Sequence, residues 1–340
     1  MPVVWSDRCL LHEPLEEIWV GVATPAAETP ARATAIREAL EARFVEAEPH
    51  PDEALLEVHD PELIAYLASA WDEWNEAGLP RDPGQERVVP YVFAHRALGA
   101  RQAPTAVWAR PGWFAYDTMT LVGPGTWEAA RAAADAALTA VDLVLGGEPL
   151  AYACTRPPGH HVTHEAYGGS CYLNNAAIAA AALGEGLDGP VAVLDVDAHH
   201  GNGTQEIFRG RDDVLTGSVH VDPGAGWFPH FLGFADESDE ANRNLPLAPG
   251  SGDTPWLEAV GELASWASAA AGLVVALGVD AAAADPESPL EVGAAGFREA
   301  GRVLGALGVP TVVVQEGGYE LGSLGALVSE ALLGLEEGRP

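Results

Sequence analysis

Short apolar runs rich in β-branched residues recur along the chain: IWVGV at 18–22, YACT at 152–155, VAVLDVD at 191–197, VLTGSVHVD at 214–222, LVVALGVD at 273–280 and TVVVQEGG at 311–318. Between several of them lie helix-like stretches, WEAARAAADAALTAVDLVLGG at 127–147, NNAAIAAAALGEGL at 174–187 and PWLEAVGELASWASAAAG at 255–272. Strands that are apolar almost throughout, rather than alternating, belong in a sheet covered on both faces. Their alternation with helices predicts an α/β fold with a central, mainly parallel sheet flanked by helices. No internal repeat or low-complexity segment interrupts the 340 residues, so a single domain is expected over 1–340. The Pro-rich stretch at about 79–113 has no clear period and is expected to be a loop insertion, able to form a dimer contact, rather than a domain linker.

The ends of these strands carry the chemistry. Open parallel sheets bind ligands outside the carboxyl ends of their strands. Here those ends read Asp195-Val196-Asp197-Ala198-His199-His200, Ser218-Val219-His220-Val221-Asp222, Gly278-Val279-Asp280 and Gln315-Glu316-Gly317-Gly318-Tyr319. Helix capping explains one strand-ending Asp, but not ionisable groups at four. Buried charges must be paired or metal-bound. Asp197 and His199, at i and i+2, share a face and can chelate one metal, and Asp280 can supply a third ligand. Taken alone, that pair serves capping or core hydrogen bonding equally well. Two carboxylates and an imidazole suit Zn²⁺ or another divalent ion with positions left open.

The segment RPPGHH at 156–161 holds His160 and His161 in a Pro/Gly-shaped loop, which fits acid–base machinery beside a metal better than two unrelated core histidines. Asp195 and Asn202 are the expected orienting partners of His160 and His161 respectively. Tyr319, following two glycines, can reach a carbonyl and donate to a developing oxyanion. His200, next to a ligand on a strand end, points the other way and receives no role.

Composition narrows the partners. The chain is 48% hydrophobic, enough for a sizeable core, and carries a formal charge of −33 with 17 basic residues, every one an arginine. Such acidity serves solubility, or it makes a field that attracts cationic substrates; either way it disfavours nucleic acid. No apolar run approaches the roughly 18 residues of a membrane span. The opening MPVVWSDRCLLHEP lacks a basic segment followed by an apolar one, and Cys9, Cys154 and Cys171 form no CxxC pair. A cytoplasmic protein with no membrane partner is expected.

Six ordered blocks resemble the zinc-dependent histone deacetylases: RPPGHH, GGSCYLNNAAIAA at 168–180, LDVDAHHGNGTQEIF at 194–208, GSVHVDP at 217–223, GVDAAAADP at 278–286 and QEGGY at 315–319. WFPHFLGFADE at 227–237, NLPLAPGSGD at 244–253, YDTMTLVGPGTWEAA at 116–130 and DPES at 285–288 are most similar to the bacterial acetylpolyamine amidohydrolases of that family. The resemblance implies an arginase/deacetylase-like fold and one catalytic Zn²⁺ on Asp197, His199 and Asp280. It also implies His161 as general base assisted by His160, and Tyr319 polarising the scissile carbonyl. A structural K⁺ is implied on Asp195, Asp197, Ser218 and the His199 and Val219 carbonyls. Gly169, Ser170 and Phe228 match the channel wall, with Ser170 where an aromatic is common, which should widen the channel and relax the limit on acyl groups. Glu287 resembles an acidic gatekeeper, with an exposed loop acid as the alternative, and Asp117 matches a rim aspartate that orients substrate, with turn capping as the alternative. The implied reaction removes an acetyl or other short acyl group from a small N-acyl amine, an acetylpolyamine or similar cation, in a homodimer; protein acetyl-lysine is the other substrate class. A binuclear ureohydrolase would need carboxylates where Gly201 and Gly278 stand, and a non-catalytic binding module should have lost a ligand, the base or the tyrosine.

Overall fold

The computed structural model describes residues 1–82 and 84–340. Its strands are β1 (Pro2–Trp5), β2 (Glu16–Trp19), β3 (Val22–Pro25), β4 (Arg43–Glu46), β5 (Leu150–Ala153), β6 (Val191–Asp195), β7 (Val214–Val221), β8 (Asn242–Leu247), β9 (Gly272–Leu277) and β10 (Thr311–Gln315). Eight of them form one sheet in the order β4-β1-β5-β10-β9-β6-β7-β8, every neighbouring pair parallel. The continuous apolar runs are explained by burial on both faces. Val191, Val193, Val274, Ala276, Val312 and Val314 belong to the core on one side; Ala192, Leu194, Leu273, Val275 and Val313 belong to the core on the other.

Helices cover both faces. The Ala-rich helix Thr126–Leu145 is buried from Ala129 to Val141, where small side chains allow close approach. Among the described residues no helix is long and apolar enough to cross a membrane. The cysteines Cys9, Cys154 and Cys171 are buried and free.

Three segments differ from the sequence reading. IWVGV is not a sheet strand: β2 and β3 form a separate antiparallel hairpin, turning through Val20 and Gly21, both at positive φ. Its Trp19, Val20 and Val22 are exposed, so their apolar character marks a projecting hairpin and not a core. The sheet strands β1, β4 and β8 carried no readable signal, because PVVW and RFVE are four residues long and NRNLPL is largely polar. Apart from residue 83, which lies outside the described residues, the 79–113 stretch is largely irregular, with a short 3₁₀ turn at Arg96–Leu98 and a helix beginning at Pro111.

The strand order sets the site. β5, β10, β9 and β6 are consecutive neighbours, so the segments following them emerge side by side at one edge. On the far side of the sheet, helices Ala294–Gly305 and Leu321–Gly338 touch backbone to backbone: a Cβ at Gly334 would lie 2.0 Å from the Arg298 carbonyl oxygen. Gly334→Val is therefore expected to destabilise the fold by about 1–3 kcal/mol through overpacking, seen as a lowered midpoint of thermal or urea unfolding, with the metal site intact at low temperature.

Candidate active site

Asp197 and His199 follow β6, and Asp280 follows β9, the strand beside it. One ligand atom from each lies within 4.8 Å of the others. His199 Nδ1 is 3.2 Å from Asp197 Oδ1 and 3.1 Å from Asp280 Oδ2. Backbone donors hold the other oxygens: Ala198 N–H donates to Asp280 Oδ1 and Gly317 N–H to Asp197 Oδ2, both at 2.8 Å. Both carboxylates are buried. Burial and the Asp197 charge push Asp280 up to about 7. Burial acts to raise Asp197 too, but His160 and His199 outweigh it and hold Asp197 low. Two buried, mutually repelling carboxylates and one imidazole nitrogen fit a divalent cation, which would supply the missing positive charge.

The cluster lacks the carboxylates that a second metal would need at positions 201 and 278. A Cβ at Gly278 would lie 2.1 Å from Asp197 Oδ2, and one at Gly201 would lie 2.3 Å from Asp195 Oδ2. Neither position admits the carboxylate that a second metal would need.

The histidine loop follows β5. His160 Nδ1 donates to Asp195 Oδ2 at 2.8 Å, and His161 Nδ1 donates to Asn202 Oδ1 at 2.7 Å, the pairing read from the sequence. Their environments separate them. Burial disfavours charge on His160, but Asp195 and Asp197 raise it to about 10. Burial, His160 and His199 hold His161 well below its ordinary value. The carboxylates thus favour the cationic form of one ring, while burial and its cationic neighbours favour the neutral form of the other, 4.0 Å away between centroids. With Nδ1–H engaged by an amide oxygen, His161 Nε2 carries a lone pair. Glu316, unassigned in the sequence reading, braces this loop: its Oε2 accepts from Gly159 N–H at 2.7 Å and His160 N–H at 3.1 Å.

Tyr319 follows β10, and Asp285 sets its place: Oδ2 accepts Tyr319 N–H at 2.7 Å, while Oδ1 accepts Glu287 N–H at 3.0 Å. Ser218 stands opposite Asp195 in the β6–β7 register, and its Oγ pairs with His220 Nδ1 at 2.8 Å; Val219 is buried beside it. His200 does point away from the metal cluster. Its Nε2 lies 3.0 Å from Gln205 Oε1 and 3.2 Å from Asn244 Oδ1, its ring packs on His220, and both rings enclose Gly233. It ties the strand end to the segment carrying Phe228.

A hollow of about 70 Å³ reaches the cluster, lined by His161, Gly169, Ser170, His199, Phe228 and Tyr319 among others. It shares Glu17, Met119, His199, Phe228 and Glu287 with a mouth of about 670 Å³ that adds Trp19 and Trp227. His161 meets Phe228 edge-on at 4.8 Å. A Cβ at Gly169, where φ is +59°, would lie 2.3 Å from His161 Cδ2, so only glycine leaves the base its space. Asp117 makes the bonds of a turn cap: Gly169 N–H, Met119 N–H, Thr120 N–H and Thr120 Oγ1 all donate to it at 2.6–3.1 Å. It clasps the Gly169–Ser170 wall and stands outside the residues lining either hollow. Glu287 does line the channel, and so does Glu17, which the sequence reading missed. Burial, Glu287 and Asp117 push Glu17 up to about 7, so the carboxyls gathered at the mouth resist ionising together without a cation beside them. No motif flags Glu17; its place depends on where the hairpin folds.

Residues 26–335 match the histone deacetylase domain family. The chain is 36% identical to the acetylpolyamine amidohydrolase of Mycoplana ramosa over 98% of its own length and 99% of that protein. A crystal structure of acetylpolyamine aminohydrolase from Burkholderia pseudomallei superposes with TM-score 0.94 at 36% identity, covering both chains fully. The HDA15 HD domain superposes with TM-score 0.79 at 27% identity over 99% of this chain and 89% of that one. From the site geometry, metal analysis of the purified protein should return one divalent ion per chain, and Asp280→Asn should cut that content sharply while circular dichroism is unchanged.

Proposed function

The chain belongs to the histone deacetylase family, whose members hydrolyse amide bonds with the help of a metal, and from that premise we propose that it deacylates small N-acyl amines, acetylpolyamines above all. The observation that carries the reading is the channel itself: a buried ligand cluster and a base at its foot, and paired carboxylates at its mouth.

Asp197, His199 and Asp280 would hold the ion, Zn²⁺ by their donor set, whose contribution when bound is Lewis acidity toward the amide carbonyl. His161 takes a proton from the attacking water at Nε2, while Asn202 holds its Nδ1–H. His160, tied to Asp195, keeps positive charge beside the forming tetrahedral centre. The Tyr319 hydroxyl donates to the carbonyl oxygen as that oxygen gains charge. His161 then returns the proton to the leaving amine, and the products are acetate and a free amine. Asp195, Asp197, Ser218 and the His199 and Val219 carbonyls are the proposed holders of a K⁺ behind the cluster.

At the mouth, Glu17 and Glu287 receive the distal ammonium of the substrate, and the cation relieves their mutual repulsion. Phe228 packs against the substrate's methylenes on one side. Ser170 lines the channel with far less bulk, so groups larger than acetyl are admitted. Tyr91, Val92, Phe93, Leu98 and Trp108 expose apolar surface on the 79–113 segment and support a homodimer contact there.

Turnover of acetylputrescine, acetylspermidine and a neutral acyl-lysine peptide tests the reading; the polyamines should give the highest kcat/KM, and a preference for the peptide would favour protein acetyl-lysine as substrate. Tyr319→Phe should retain its metal and lose about 100- to 1000-fold in kcat. Glu287→Leu should weaken acetylpolyamine turnover about tenfold more than turnover of the neutral peptide; equal losses would remove the gatekeeper role.

A further inference from the structure

Beside the Tyr319 loop, and reaching the lining of the hollow through Glu28, lies a buried ion cluster with no part in the steps above. Glu28 precedes helix Pro30–Ala39, with its side chain 3% exposed between two arginines. Arg32 Nη1 donates to Glu28 Oε1 at 2.8 Å, and Arg156 Nη2 lies 2.8 Å from Oε2. The arginine side chains are as deeply buried, at 3% and 1%. His12 Nε2 stands 3.8 Å from the same carboxylate, but burial holds its imidazole down to about 3, so it adds no charge. The Arg156 and Arg32 guanidiniums offset the burial that would otherwise neutralise Glu28.

Each arginine serves a different catalytic loop. Arg32 donates from Nε to the Gly318 carbonyl at 2.5 Å and from Nη2 to the Glu316 carbonyl at 2.6 Å. Its guanidinium carbon lies 4.4 Å from the centroid of the Tyr319 ring. Arg156 opens the loop that ends in His160 and His161, and its Nη1 donates to the Cys9 carbonyl at 2.8 Å. Gly317 and Gly318 offer no side chains to anchor the tyrosine loop, and Gly318 has a φ of +128° that any other residue would find strained. The loop's Gly317 and Tyr319 N–H groups are held by Asp197 and Asp285, and Arg32 adds the bonds to its Glu316 and Gly318 carbonyls.

We infer that Glu28 is a positioning residue for the reaction: by clamping Arg32 and Arg156 together, it holds the Tyr319 hydroxyl in register with His161 across the channel. The inference rests on the amide-hydrolase reading given above. Its physical basis is that oxyanion donors act through placement, so a shift of a fraction of an ångström costs rate more than binding. Glutamine keeps the shape of Glu28 and removes the charge that holds two guanidiniums side by side.

A double-mutant cycle between Glu28→Gln and Tyr319→Phe tests it, with acetylputrescine as substrate and metal content measured in parallel. Glu28→Gln should lower kcat about 10- to 100-fold, with KM within about threefold and the metal retained. In the Tyr319→Phe background the same substitution should cost less than about threefold, because the group it positions is already gone. A crystal structure of Glu28→Gln should show the Tyr319 side chain displaced. An equal loss in both backgrounds, or an unchanged kcat, overturns the inference and leaves the amidase reading standing. A wild-type protein that hydrolyses no acylated amine overturns both. If Glu28→Gln does not fold, Arg32→Lys runs the same cycle, since it keeps the cation and loses the fork to the two carbonyls; the same outcomes decide.

Discussion

Two carboxylates that meet in the dry interior at the end of a parallel sheet are the constraint around which this molecule is arranged. Asp197 and Asp280 come from neighbouring strands and cannot both stay ionised without compensation. His199 is placed between them, backbone N–H groups hold their outer oxygens, and the glycines at 278 and 317 clear the space around the acids. A cation is the simplest completion of that arrangement, and every other feature of the site is measured from it.

The histidine pair shows how one environment can make two roles from one residue type. His160 is given a carboxylate partner and His161 an amide, and the two rings lie 4.0 Å apart, tilted to each other, so that charge on the first opposes charge on the second. The difference between a cationic and a neutral ring is thus built from hydrogen-bond partners rather than from position along the chain. Glu316 and Asp285 hold the two loops that must face each other, each through paired backbone N–H groups.

Charge is graded along the channel. The foot is a compensated polar cluster, the middle is apolar on the Phe228 side, and the mouth repeats the problem of the foot with Glu17 and Glu287. There, on the proposed reading, the missing cation arrives with the substrate. The acidity of the whole chain, read first as a matter of solubility and second as a field for cations, acquires a local meaning at this one place on the proposed reading.

That Asp197, His199, Asp280, His160, His161 and Tyr319 would gather at one place was legible because parallel strands deliver their ends to one edge, and because period 2 puts Asp197 and His199 on one face. Asp195 and Asn202 could be assigned to their histidines because the first ends β6 and the second opens the helix that follows it, Asn202–Ile207. The short strands β1 and β4 were not legible, since four residues carry too little pattern, and neither was the hairpin, whose exposed Trp19 and Val22 mimic a core run. Only the tertiary structure decided that Glu17 faces Glu287, that Asp117 is spent on its own loop and Gly169, and that Glu28 joins Arg32 to Arg156. Those contacts link residues tens to hundreds of positions apart, between loops with no period. Local sequence sets what a strand end can present; the packing of distant segments sets which groups it meets.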